Sequence, residues 1–347
     1  MVKTDVLLFD PDRICDSGQI FRMYRTEEDA SVFLMYSGDR RLIVKKEESD
    51  VFFECSDEEY ETYWKHYLDM DRDYEVFHKQ IDPKDRFLVS AYEAGRGLRI
   101  LNQDLFEMIV SFIISQQKQI PSIRKCVEAL CERFGERHVT KRTKMANQYE
   151  QGSHEGKERT GICTNADEKS WYGFPSPRSI AAAGPDGLKG LSLGYRERYI
   201  YETSCRFIEV ERELRDAVEK RDFVTTKKIL MSMTGIGEKV ADCILLFACG
   251  DLDAFPVDTH IISILEREYP AKKNCKAEEK CIGPQENGKK KNVRKKEMLT
   301  ETTGVEKLTP AQARERAREV FGRYKGFSGL VQQWIFAYEL MLSYGKK

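Results

Sequence analysis

The sequence predicts an α+β protein, in which a small antiparallel sheet precedes a larger helical part. Before about residue 100, short runs of β-branched and aromatic residues are separated by turn residues. After Asn102 the apolar period changes from two to about 3.6, which is typical of amphipathic helices. We therefore predict a sheet domain over residues 1–100 and a helical domain over residues 101–345.

Four runs in the first part have strand-like composition. The spacer from Glu58 to Asp85 is richer in helix-forming residues, and we expect it to lead from the sheet to the helical body. The predicted strands are Val6 to Phe9, Val32 to Tyr36, Leu42 to Val44 and Val51 to Phe53.

Start and stop signals delimit the predicted helices. Asp104 precedes an apolar stripe at Leu105 and Ile109, and Pro121 begins a helix that stops at Gly135. The further predicted helices run from Tyr195 to about Glu219, Thr225 to Met233, Lys239 to Cys249, Asp258 to Glu268, Pro310 to Phe321 and Ser328 to Ser343.

Two segments, at about 141–170 and 271–307, show neither the apolar period of a strand nor that of a helix, and they are too long for routine connections. We predict that both are surface insertions. Residues 271–296 carry ten basic against three acidic side chains, although the net charge of the chain is −1. This basic segment is either a solvated surface stretch, a contact to the phosphates of a nucleic acid such as DNA or a nuclear-import signal.

Composition sets the broad class. The 347 residues are 41% hydrophobic, with no apolar run long enough to cross a bilayer and no N-terminal signal segment. We expect an intracellular protein that lies in the cytoplasm or nucleoid of a prokaryote or in the nucleus of a eukaryote. The ten cysteines are expected to be reduced, and no cysteine follows Cys281 to complete an iron–sulfur site. We predict no metal and no cofactor.

One stretch carries more chemistry than the rest. A Gly-x-Gly turn at Gly235 and Gly237 enters a helix, and the unpaired N–H groups at such a positive helix end bind phosphate. Lys239 lies in the first turn of that helix, where desolvation and the helix dipole favour the neutral amine that attacks carbon. Asp258 follows Pro256 and is the expected N-cap of the next helix. Alone, Lys239 is readily explained as a solvated lysine and Asp258 as an ordinary cap, but their combined spacing favours catalysis.

The segments GIGEKVADC, residues 235–243, and PVDTH, residues 256–260, resemble the helix-hairpin-helix and Gly/Pro-Asp signature of base-excision DNA glycosylases. The chain is most similar to the 8-oxoguanine DNA glycosylase family. Outside the two insertions the resemblance spans nearly the whole chain, from Ser17 to Phe336.

The resemblance implies a bifunctional glycosylase and lyase that acts on duplex DNA containing 8-oxoguanine. In the family, a lysine at the position of Lys239 attacks C1′ of an everted nucleotide, and an aspartate at the position of Asp258 stabilises the developing positive charge. The implied lesion-binding residues are Gly18, Cys243, Gln332 and Phe336. The implied DNA contacts are Gln117, Tyr195, Arg196, Gly235, Gly237, Val240 and His260.

Two positions depart from the animal members of the family. Gln117 replaces an asparagine, and Ser122 replaces an arginine that reads the cytosine opposite the lesion. Because serine cannot make the forked contact of a guanidinium, we expect weaker discrimination for cytosine.

Two other functions remain open at this point. An alkylated-purine glycosylase of the same superfamily would use Asp258 but would not need Lys239, and a non-catalytic protein would keep the hairpin only as a DNA clamp. No heptad stripe suggests self-association, so we expect a monomer, and we expect no membrane partner.

Overall fold

The computed structural model describes residues 1–139, 170–270 and 307–344. Its N-terminal part is a five-stranded antiparallel sheet in the order β1-β5-β4-β3-β2. Alternate residues of the inner strands are buried, so one face of the sheet packs on the core. The strands are β1 Val2–Asp5, β2 Met23–Arg25, β3 Val32–Ser37, β4 Arg40–Glu47 and β5 Asp50–Glu54.

Three of the four predicted strands are confirmed, and the fourth is wrong. Residues 6–9 form a turn after β1, because the Asp5 carboxylate accepts a hydrogen bond from the Leu7 N–H at 2.7 Å. The Asp5 carbonyl also accepts from Leu8 and Phe9, which ends the strand. The apolar run therefore reflects the burial of Phe9 rather than a strand, and β1 and β2 were not predicted.

The remainder is mostly helical, which confirms the predicted α+β class. A π-helix, Tyr60–Trp64, lies between α2 and α3 in the predicted spacer, where short helices prevail. The helices are α1 Pro11–Asp16, α2 Asp57–Glu59, α3 Lys65–Tyr67, α4 Glu75–His78, α5 Arg86–Ala94, α6 Leu105–Ser115, α7 Ile120–Phe134, α8 Pro177–Gly187, α9 Arg196–Glu219, α10 Phe223–Met231, α11 Glu238–Ala248, α12 Thr259–Glu268, α13 Pro310–Phe321 and α14 Ser328–Tyr344.

Several helix boundaries confirm the cap signals in the sequence. The Asp104 side chain accepts from the Glu107 N–H at the start of α6, and α7 has Pro121 in its first turn. Helices α1, α5 and α8 were not predicted, nor was the strand pair β6 Arg137–Val139 and β7 Ser170–Tyr172. Ser170, the last residue of the first predicted insertion, begins a strand. The other residues of that insertion lie outside the described residues. So do those of the second predicted insertion, at 271–307, except for Lys307.

The sheet and the helices share one hydrophobic core. Helix α5 packs on α14, where the Tyr92 and Trp334 rings meet edge to face at 5.0 Å. The Phe21 ring packs in the same manner on Phe112 of α6, at 5.5 Å. Residues before position 100 therefore pack against the helices that follow as well as within the sheet. The domain boundary at residue 100 stays a prediction. In the described part of the chain, no helix has the length and apolar character that a membrane span requires.

Buried Glu107 gives a testable pH dependence. Its side chain accepts from the Gly38 N–H at 3.3 Å, and burial raises its pKa to about 7, against the opposing effect of Arg22. A raised carboxyl pKa contributes stability that is full below the unfolded value of 4.5 and is lost as the pH rises through 7. We expect Glu107→Gln to stabilise the protein relative to wild type increasingly from pH 5 to pH 8, by up to roughly 3 kcal/mol. Urea unfolding at a series of pH values measures the difference, and a pH-independent difference would contradict this account.

Candidate active site

The site begins at the turn between α10 and α11. Gly235 has a φ of +85°, and a Cβ there would lie 2.6 Å from Cδ2 of Tyr199, so both conformation and space require glycine. Gly237 is the N-cap of α11, and no side chain caps this helix. Among the described residues, a Cβ placed on Gly237 would meet no atom within 4 Å apart from its chain neighbours and the backbone of α11. The first-turn N–H groups, which include that of buried Val240, therefore have no side-chain cap, and uncapped N–H groups at a helix start are suited to a phosphate.

Lys227 holds the two helices of this hairpin together. Its Nζ lies 2.8 Å from Glu238 Oε2 and 2.6 Å from Asp242 Oδ1. Burial raises the pKa of Asp242, and the Lys227 ammonium opposes that effect. The pair of contacts fixes α10 against the first turns of α11.

Substitution of Gly235 tests the turn. We expect Gly235→Ala to lower the thermal midpoint and to weaken binding to undamaged duplex DNA, because the methyl group meets Tyr199 and the left-handed conformation costs about 1–2 kcal/mol. Gly237→Ala is the matched control for stability, since its methyl group meets no atom. It should lower the midpoint less. A Gly235→Ala protein with wild-type midpoint and affinity would contradict the assignment.

Lys239 lies in the first turn of α11 and is half-buried. Its Nζ is 5.4 Å from the centroid of the Phe112 ring. That ring stacks on Phe247 at 5.6 Å, so α6 supplies an aromatic floor beneath the amine. The side chain is therefore held at the edge of the core rather than released into solvent.

Asp258 caps α12, as the sequence predicts, with its carboxylate accepting from the Ile261 N–H at 2.9 Å. Cys243 lies one turn after Lys239 on α11 and is buried. Burial raises the pKa of the Cys243 thiol to about 11; the Lys239 ammonium opposes this rise and the Asp258 carboxylate adds to it. The amine and the carboxylate thus both act on one thiol and lie in one region of the molecule.

The predicted lesion-binding residues approach this region from two other elements. Gly18 has a φ of +74°, and a Cβ there would lie 3.2 Å from Cε1 of Phe336. The Phe336 ring meets exposed His260 edge to face at 5.8 Å. Gln332, one turn earlier on α14, is buried, and its Oε1 accepts from Gln333 Nε2 at 2.9 Å. Gly18, Phe336 and His260 therefore form one contiguous surface, which joins Asp258 through the first turn of α12.

The residues expected to support the opposite strand lie beside the hairpin. Gln117 is exposed and has a φ of +52°, a strained conformation for a non-glycine residue. Tyr195 is 50% exposed at the start of α9. Both side chains face outward. This suits the expected role of Gln117, which is to fill the vacated base stack, and that of Tyr195, which is to act as an aromatic wedge.

Arg196 is placed differently from its expected role as a cytosine reader. It is only 6% exposed, and its guanidinium packs at 4.4 Å on the Tyr195 ring. It donates to the carbonyls of Leu193 and Gln116, and its buried Nε has no hydrogen-bond partner among the residues that the structure describes. In this conformation Arg196 braces the chain, so a contact with cytosine requires its side chain to move.

Two residues that hold the site were not singled out as site residues from the sequence. Phe112 lies beneath Lys239, and Gln116 donates from Nε2 to the Gly235 carbonyl at 2.8 Å. Phe112 has the pattern of any buried helical position, and no local signal identifies Gln116. Their roles depend on the packing of α6 against the hairpin.

Comparison with known proteins places this chain in a family. Residues 1–109 match the model for the N-terminal domain of 8-oxoguanine DNA glycosylase, and residues 110–282 match that for HhH-GPD superfamily base excision DNA repair proteins. The chain belongs to the 8-oxoguanine DNA glycosylase family of the HhH-GPD superfamily. The first match includes Gly18, and the second includes Lys239, Asp258 and His260.

Curated members of the family are similar over part of their length. An N-glycosylase/DNA lyase of Saccharomyces cerevisiae is 26% identical, over 52% of this chain and 44% of its own. A probable N-glycosylase/DNA lyase of Methanothermobacter thermautotrophicus is 28% identical, over 59% and 62% respectively. The chain therefore spans about half the length of the curated relatives it matches.

Solved structures of the family match over more of the chain. The 8-oxoguanine glycosylase/lyase of Clostridium acetobutylicum, in complex with duplex DNA containing cytosine opposite 8-oxoguanine, has a TM-score of 0.72 and 26% identity. The alignment covers 98% of this chain and 94% of that one. A 3-methyladenine DNA glycosylase of Archaeoglobus fulgidus, with a TM-score of 0.62 and 17% identity, shares the fold alone.

Proposed function

We propose that this protein is a bifunctional DNA glycosylase and lyase that excises 8-oxoguanine from duplex DNA. The observation that carries the proposal is that Lys239 and Asp258 both act on the pKa of the buried Cys243 thiol, with Lys239 in the first turn of the helix that follows the Gly235–Gly237 turn. An alkylated-purine glycosylase would not need the lysine, and a DNA clamp would need neither side chain. We further propose that the protein acts as a monomer, in the compartment that contains the genome.

The reaction starts at the backbone. The α11 N-terminus holds a phosphate without reading sequence, and the target nucleotide leaves the stack so that its C1′ can be reached. Once Lys239 has lost a proton, its amine forms a bond to C1′ as the bond to the base nitrogen breaks, and the base leaves with that electron pair. Asp258 stabilises the positive charge that develops on the sugar and assists removal of the amine proton. The C1′–O4′ bond then breaks and O4′ takes up a proton, which leaves a Schiff base between C1′ and the lysine nitrogen. Loss of a proton from C2′ of this Schiff base permits elimination of the 3′ phosphate.

Recognition of the lesion depends on one proton. 8-Oxoguanine carries N7–H where guanine has only an acceptor, so a Gly18 carbonyl facing N7 would accept a hydrogen bond from the lesion alone. A guanine in the same position would leave that carbonyl without a hydrogen bond, which costs about 1–3 kcal/mol of binding free energy. Phe336 and Cys243 would sandwich the base, and Gln332 would contact its Watson–Crick edge. The close approach of Gly18 to Phe336 supports this arrangement.

A single-turnover assay on matched duplexes tests the proposal. We expect release of 8-oxoguanine, no release of guanine at the same position, and a covalent protein–DNA adduct after borohydride reduction. Release of 3-methyladenine without an adduct would favour the alkylated-purine alternative. Binding without release of any base would favour the non-catalytic alternative.

Ser122 bears on how strongly excision depends on the base opposite 8-oxoguanine. Its side chain is short and exposed in the first turn of α7, and Arg196 is occupied by backbone carbonyls. We expect Ser122→Arg to raise the preference for cytosine about ten- to hundredfold, the value of one forked contact. Excision rates from duplexes with C, A, G or T opposite the lesion measure this preference. A wild-type protein that already acts opposite cytosine alone would contradict the expectation.

A further inference from the structure

A cluster of three metal-ligating side chains lies away from the catalytic site. Asp39, Glu136 and His138 each direct one ligand atom into a space in which these atoms lie within 4.8 Å of one another. Asp39 belongs to the turn between β3 and β4, whereas Glu136 and His138 lie at the start of the β6–β7 pair. The cluster therefore joins the N-terminal sheet to the strands that flank residues 140–169.

Backbone geometry brings the three residues together. Glu136 and His138 are two positions apart along an extended segment, so their side chains leave on the same side. The Gly173 N–H donates to the Glu136 carbonyl at 2.9 Å, and the Phe174 N–H donates to the Gly38 carbonyl at 3.1 Å. These two bonds align the β3–β4 turn with the strand pair.

Two further contacts orient the donors. The His138 ring stacks on Trp171, its cross-strand partner, at 4.4 Å and 19°, which leaves Nε2 3.4 Å from Asp39 Oδ1. A Cβ on Gly173 would lie 1.8 Å from Asp39 Oδ1, so the Asp39 carboxylate would have to move if residue 173 carried a side chain. The imidazole is thus turned edge-on toward the carboxylates by its packing, and a space is kept for Asp39.

We infer that Asp39, Glu136 and His138 bind a first-row divalent cation such as Mn²⁺ or Zn²⁺. One imidazole and two carboxylates are a donor set that these cations accept. Donors around such a cation, at about 2.0–2.2 Å each, lie within roughly 4.4 Å of one another, so small side-chain rotations suffice. The remaining coordination positions are open to solvent, because Asp39 and Glu136 are exposed. Such an ion would fasten the β3–β4 turn to the β6–β7 pair and stabilise the folded protein by mass action.

Binding of Mn²⁺ to the full chain tests the inference, because thiolates bind this cation poorly and the cysteines will not compete. Protein stripped with a chelator is titrated with MnCl₂, and free Mn²⁺ is counted by electron paramagnetic resonance. We expect the wild type to bind one ion more than Asp39→Asn or His138→Gln. Affinity in these variants should fall at least about tenfold, the loss caused by even an indirect change at a metal site.

The surface pair of His78 and Glu75, 3.8 Å apart, provides the matched control. His78→Gln should bind Mn²⁺ as the wild type does. Gly173→Ala removes no ligand but displaces Asp39, so it should weaken binding as well. Mn²⁺ should raise the thermal midpoint of the wild type but not that of His138→Gln. Equal binding by the wild type, Asp39→Asn and His138→Gln, or no binding by the wild type, would overturn the inference.

Discussion

Replacing Lys239 by glutamine is expected to abolish the borohydride-trapped adduct and to lower single-turnover excision of 8-oxoguanine at least about 10⁴-fold, as removal of a nucleophile does. Glutamine is one bond shorter than lysine but keeps an unbranched polar side chain that can pack over Phe112, and its amide nitrogen does not attack carbon. The hairpin N–H groups are unchanged. Binding to duplex DNA should therefore stay within about threefold of wild type, as measured by fluorescence anisotropy at a fixed salt concentration.

Lys228 provides a matched lysine on the same hairpin. It lies on α10, next to Lys227, and is exposed. Lys228→Gln should keep both the adduct and the excision rate. If Lys239→Gln still formed the adduct at the wild-type rate, another amine would be the nucleophile.

Replacing Asp258 by asparagine is expected to lower the rate of base release about 10²- to 10⁴-fold with little loss of stability. Asparagine caps a helix about as well as aspartate, so the bond to the Ile261 N–H can persist. Its neutral amide neither stabilises the charge on the sugar nor accepts a proton from Lys239. The measurement pairs single-turnover base release with the thermal midpoint, which separates the chemical role from the structural one.

Asp104 is the corresponding control, because it caps α6 in the same manner, with its carboxylate 2.9 Å from the Glu107 nitrogen. Asp104→Asn should change neither rate nor midpoint appreciably. A fall in midpoint for Asp258→Asn with an unchanged rate would reduce Asp258 to an ordinary helix cap.

Local signals predicted the parts of the fold that depend on neighbouring residues. Asp104 and Asp258 cap helices where their spacing to the following apolar stripes requires it, and the Gly235 turn leads into α11 as expected. The run at residues 6–9 misled, because its composition matches a strand while the Asp5 hydrogen bonds form a turn. The pair β6–β7 was missed because each strand has three residues, too few to establish a period.

In the candidate site too, the features set by neighbouring residues were predicted from the sequence, and those set by contacts between distant elements were not. The sequence motifs indicated Lys239, Asp258 and the hairpin, whose functions follow from residue type and short spacing. The support from Phe112 and the engagement of Arg196 with backbone carbonyls depend on contacts between distant elements. The cluster of Asp39 with Glu136 and His138 likewise forms only when the strand pair meets the sheet.

Identification of the amine that bonds to DNA tests the central claim most directly. The full-length protein is reacted with an 8-oxoguanine duplex in the presence of borohydride, the adduct is digested with protease and nuclease, and the modified peptide is sequenced by mass spectrometry. The account predicts a reduced sugar remnant on Lys239, in the peptide that contains Gly237 and Cys243. A remnant on the N-terminal amine or on another lysine, with Lys239 unmodified, would contradict it.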